Sequence, residues 1–176
     1  MTVKTSIEVT GLQDALRTIG KTDKELRRQL TKDFTKAASP MLETAISRMP
    51  SSAPLSGMVR NWRGKPFWSQ SEAGKRGIRI KLDSRKPKYG GVRNTETVGA
   101  LRLQTRTRMT AVYDMAGKAD KPKTPQGEAL IKQLRAKNGP PSRMMWPAAE
   151  STIGEVQNNL RPVIRKVMDA QSKALR

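Results

Sequence analysis

Residues 22–49 constrain this chain more than any other stretch. Leu26, Leu30, Phe34, Ala37, Ala38, Met41, Leu42, Ala45, Ile46 and Met49 recur every three or four residues. That period puts one apolar stripe along a helix and rules out a strand. Thr22 or Asp23 can cap the start, Asp23 and Glu25 place negative charge on the first turn, and Pro50 ends the run. About 27 residues at 1.5 Å each give roughly 40 Å, enough to span one side of a small domain. Pro40 lies inside the stripe. It removes a backbone donor and crowds the preceding turn, so a kink or break is expected near Lys36–Ser39.

What the stripe packs against must come from the rest of 176 residues, a length suited to one domain spanning 1–176. Aromatic residues are only 4% of the chain, so the core draws on aliphatic side chains and nine Met. Residues 3–9 alternate and predict a strand with Val3, Ile7 and Val9 on one face; Leu12–Ile19 follows as a short helix closed by Gly20. Ile78–Leu82 alternates strictly. Val98–Met115 does so over eighteen residues, too long for one strand, which predicts two strands divided near Arg106–Arg108. Between these lie two extended loop regions, 51–76 and 116–146, the second carrying a short helix at Glu128–Lys137. A C-terminal helix follows over 147–175, with Pro162 inside it. The fold class is α+β: two long kinked amphipathic helices packed on a small antiparallel sheet, with long loop extensions.

The charge is 35 Lys and Arg against 15 Asp and Glu, a net of +20, and residues 51–147 hold 21 basic residues against 6 acidic. Such a field favours nucleic acid, an anionic membrane or an acidic protein surface. The chain contains no Cys and no His, which removes thiol nucleophiles, His bases, Ser-His-Asp triads, disulfides and the usual zinc sites. Its carboxylates are scattered singly and its glycines form no phosphate loop. The reading is therefore no enzyme, no cofactor, no metal and no catalytic residue. No apolar run reaches about 18 residues and the start lacks a secretory apolar segment, so synthesis in the cytoplasm without membrane insertion is expected.

Two clusters invite a function. Arg79 and Lys81 on one strand with Arg102, Arg106 and Arg108 on the next can form a basic face that meets DNA phosphates or docks on the acidic patch of a neighbouring ring. The bland alternative is a solvated sheet face. Trp62, Phe67 and Trp68 interleave with Arg60, Arg63 and Lys65, which suits anchors for a loop inserted into a neighbouring subunit, or less well a stacking platform for single strands. Arg143 and Trp146 read as the anchor that seats the last helix, with Trp146 packed on the sheet or the first long helix and Asp114 paired with Arg143.

Three segments, taken in order, resemble a known family: Ile7-Glu8-Val9-Thr10-Gly11-Leu12, then Ala111-Val112-Tyr113-Asp114-Met115-Ala116-Gly117, then Pro141-Ser142-Arg143-Met144-Met145-Trp146-Pro147-Ala148-Ala149-Glu150. With the long helix and basic sheet between them, the chain resembles the neck or tail-completion proteins of siphophages, particularly those of actinobacterial hosts. It departs from that pattern at Pro54-Leu55-Ser56-Gly57-Met58, where many members have Thr-Gly-x-Leu. The resemblance implies a virion component made in the host cytoplasm that assembles as a homo-oligomeric ring, hexameric in the family. It implies contacts with head-to-tail stopper or connector proteins, with tail terminator proteins and with genomic DNA in the channel. The rival reading is a basic nucleic-acid-binding protein of ribosomal or nucleoid type.

Overall fold

A computed structural model describes residues 4–10, 12–62, 64–66, 68, 77–83, 88–89, 92–93, 98–118, 122 and 124–174. The fold is α+β. Among the described residues the strands are β1 (Lys4–Thr10), β2 (Asn61–Trp62), β3 (Lys65–Pro66), β4 (Ile78–Asp83), β5 (Lys88–Tyr89), β6 (Val92–Arg93) and β7 (Val98–Thr105). The helices are α1 (Leu12–Thr22), α2 (Lys24–Ala37), α3 (Ser39–Ser47), α4 (Arg108–Met115), α5 (Pro125–Asn138) and α6 (Met145–Ala174). Three strands form one sheet in the order β1-β7-β4, while β2-β3 and β5-β6 are small antiparallel hairpins. The chain divides into two compact units. One comprises Met1–Thr5, Met41–Arg79 and Leu103–Ser151; the other comprises Ser6–Pro40, Ile80–Arg102 and Thr152–Arg176.

In the second unit α1 packs on α2, and the predicted stripe supplies the buried Leu30, Phe34, Ala37 and Ala38. Asp23 caps α2, its carboxylate accepting from the Leu26 amide at 2.9 Å. The helix then breaks where Pro40 requires. Pro40 has no amide to offer the Lys36 carbonyl, which accepts from the Ala38 amide instead, and a new helix starts at Ser39. Asn159 of α6 donates to the Ala37 carbonyl at 3.5 Å, and Lys166 lies 4.0 Å from Asp33. Along α6 the stripe Val156, Leu160, Val163 and Val167 is buried at steps of three and four, and the helical assignment runs through Pro162.

The first unit buries Met41, Ala45, Leu55, Met58, Ile78, Leu103, Met109, Tyr113, Leu134, Met144 and Met145. Three local expectations are corrected. Residues 108–115 are a helix, α4, where alternation predicts a strand; Thr107 caps it, its hydroxyl accepting from the Thr110 amide at 3.3 Å. Helix α1 continues past Gly20 to Thr22. The region 51–76 is not loop throughout, since Ser56–Val59 makes a 3-10 turn and β2-β3 a hairpin whose turn holds Gly64 at φ +80°.

Candidate functional site

The most fully built cluster lies in the first unit, where the chain returns from Ser142 to Asp114. Asp114, near the end of α4, is 0% exposed. Its Oδ1 accepts from the Met144 amide at 2.8 Å and the Met145 amide at 3.2 Å, and so caps the start of α6. Its main-chain carbonyl accepts from the Ser142 amide at 2.6 Å and the Arg143 amide at 3.3 Å. Ser142 holds φ +70°, a left-handed conformation that a non-glycine residue adopts at a cost and that the surrounding bonds hold in place.

Arg143 does the complementary work. It is 8% exposed, and its guanidinium donates to the Tyr113 carbonyl at 2.6 Å, to the Ala116 carbonyl at 3.3 Å and to the Gly139 carbonyl at 3.1 Å. These carbonyls close α4 and α5, the ends of a helix where positive charge is favourable. A cation thus serves two helix C-termini and an anion serves one helix N-terminus. The expected surface ion pair between Asp114 and Arg143 gives way to this arrangement, because both side chains are buried and their hydrogen bonds go to main-chain groups. Burial pushes the Tyr113 phenol above its ordinary value, with Arg143 opposing and Asp114 reinforcing the shift. Burial likewise draws Arg143 down, against the pull of Tyr113 and Asp114.

Trp146 is 55% exposed and is not the packing anchor of the last helix. One step along the helix from the buried Met145, it points away from the side that Met145, Ala148 and Ala149 bury. Trp68 is 7% exposed and packs edge-to-face on Tyr113 with ring centroids 5.9 Å apart, a contact within its own unit. Its indole nitrogen has no hydrogen-bond acceptor among the described residues. The backbone of Trp62 lies in β2, and Phe67 lies outside the described residues.

Two of the five basic candidates, Arg106 and Arg108, lie off the strands. Arg79, exposed on β4, donates to the Gln104 Oε1 at 3.2 Å across to β7. Lys81 on β4 and Arg102 on β7 are half-buried. Arg106 falls after the end of β7, where its amide donates to the Gly77 carbonyl at 2.7 Å, and Arg108 opens α4; both side chains are exposed. Sequence reasoning missed Thr110, which is fully buried and donates from its hydroxyl to the Gly77 carbonyl at 3.1 Å, tying α4 to the approach of β4. Among the described residues no three carboxylates gather as a metal site would need, and no helix is long and apolar enough to cross a membrane.

The geometry of this cluster is that of a joint, in which the hydrogen bonds of the Asp114 Oδ1 and of the Arg143 guanidinium go to main-chain atoms. Comparison of the chain with protein-family models, with curated proteins and with solved structures gives no match.

Proposed function

We propose that this chain is a structural, non-catalytic virion protein of a long-tailed phage, a ring-forming neck or tail-completion component at the head-to-tail junction. One observation carries the reading. Two of the segments through which the chain resembles that family, 111–117 and 141–150, meet through Asp114 and Arg143, so residues separate in sequence act as one device. A device that fixes the start of a 30-residue helix is what a scaffold needs when that helix must present a constant surface to neighbours. The exposed Trp146 at its first turn offers such a neighbour an aromatic contact.

A basic nucleic-acid-binding protein is the second reading, favoured by the net charge of +20. Mass spectrometry of purified phage particles separates the two, followed by cryo-electron microscopy of the junction. The chain is expected in the particle at a few copies per virion, with ring-shaped density between head and tail that accommodates its helices. Its absence from purified virions removes the neck assignment.

A further inference from the structure

Within the second unit, one face of α2 with Gly20 of α1 lines an open cleft of about 490 Å³, formed by Gly20, Lys24, Arg27, Arg28, Thr31 and Lys32. Four of the six are cations and none is an acid or an apolar residue. The five on α2, the four cations and Thr31, fall at i, i+3, i+4, i+7 and i+8, which gathers them on one face. Asp23 and Asp33 are turned to other tasks, while Glu25 sits beside one of the cleft's own cations, Arg28. Asp23 accepts from the Leu26 amide, Glu25 lies 3.4 Å from Arg28 with both side chains well exposed, and Asp33 accepts from Gln29 at 2.9 Å and lies near Lys166.

Gly20 is the second, independent observation. It sits inside α1, where only proline is a poorer helix former. A Cβ on residue 20 would come within 2.5 Å of the Arg27 Cδ. The missing side chain therefore leaves room for the stem of Arg27 to lie against α1.

We infer that this cleft binds the phosphate backbone of nucleic acid. From Lys24 to Lys32 is about 12 Å at 1.5 Å per residue. Over that length one strand of a duplex carries roughly three or four phosphates at 3.4 Å of axis each. Two guanidiniums suit paired phosphate oxygens. An acidic protein is the lesser fit, because protein interfaces centre on aromatic and apolar anchors and this cleft has none, whereas a phosphate backbone requires only charge and hydrogen-bond donors. The inference goes beyond the neck assignment and stands or falls in purified protein, whether or not the chain belongs to a virion.

The test is fluorescence anisotropy of the full chain with a labelled mixed-sequence DNA duplex across a salt series. The variant pair K24Q/R27Q is compared with R161Q/R165Q, which removes the same charge from exposed positions on α6. The cleft pair is expected to weaken binding and lower the slope of log K against log salt by about 1.8, at about 0.9 per lost phosphate contact. The α6 pair is expected to change that slope by less than half as much. Gly20→Ala keeps every charge while displacing Arg27, and weakened duplex binding is expected from it too; circular dichroism checks that each variant retains its helices. Equal losses from both pairs would mean that only the net field acts, and would overturn the inference. So would parental affinity in the cleft variants, or poly-L-glutamate binding that depends on the cleft more strongly than duplex binding does.

Discussion

Asp114 shows how far a single side chain can reach. Removing its carboxylate by Asp114→Ala leaves the Met144 and Met145 amides buried and without an acceptor, and takes a negative charge from the start of α6. A loss of about 2–4 kcal/mol is expected, read as a lower urea midpoint with little change in slope. A loss below about 0.5 kcal/mol would mean that water takes over the cap. Asp114 and Arg143 stand out in the sequence because buried charge is rare and both lie in segments that also carry Tyr113 and Trp146. Their partners do not stand out. Each bonds to main-chain groups that exist only once helices end at particular residues, and pairing opposite charges is the simpler expectation when helix ends are unknown. Trp146 is misread for a related reason: its size argues burial, but one residue along a helix turns a side chain by about 100°.

At the level of elements, periodicity served best where the run was long. The break between α2 and α3 and the capping by Asp23 follow from Pro40 and from the Thr-Asp-Lys-Glu start. Helix α4 is the failure. Its positions Met109, Ala111 and Tyr113 continue the alternation of β7, and since Thr110 and Asp114 are buried as well, burial on most sides erases the helical period. Thr107, three residues before Thr110, was the available signal. Helix α2 hides a second pattern: its basic face at 24, 27, 28 and 32 does not stand out in the sequence, because polar residues opposite an apolar stripe are ordinarily solvated. The two helix prolines should behave differently. Pro40 lies in the first turn of α3, where its missing amide has no helical partner, so Pro40→Ala is expected to change stability by less than about 0.5 kcal/mol. Pro162 lies mid-helix in α6, and Pro162→Ala is expected to stabilise by about 1–3 kcal/mol. Thermal melts of the two variants compare them directly, and equal effects would contradict this account.

For the whole molecule the dominant fact is charge. A net +20 on 176 residues repels itself in the compact state more than in an expanded one. Raising sodium chloride from about 20 mM to about 300 mM shortens the screening length from roughly 20 Å to about 6 Å, and is expected to raise the melting temperature of the isolated chain. A fall on adding salt would mean that attractive ion pairs outweigh the repulsion. The sequence displayed this charge and its excess over residues 51–147, but not which cations share a face, because that depends on how the helices and strands turn their side chains. The joint at Asp114 and Arg143 also has a practical use. The Ser142 amide and the Asp114 carbonyl hold the two ends of the intervening segment 2.6 Å apart, so that segment is an excursion that leaves and returns to one point. Lengthening it directly after the exposed Lys118 displaces neither end, and each doubling of an inserted flexible linker costs only about 0.6 kcal/mol. The chain thus carries its own insertion port, where an epitope or a small fluorescent domain can be placed to locate it in an assembly without disturbing the helix it starts.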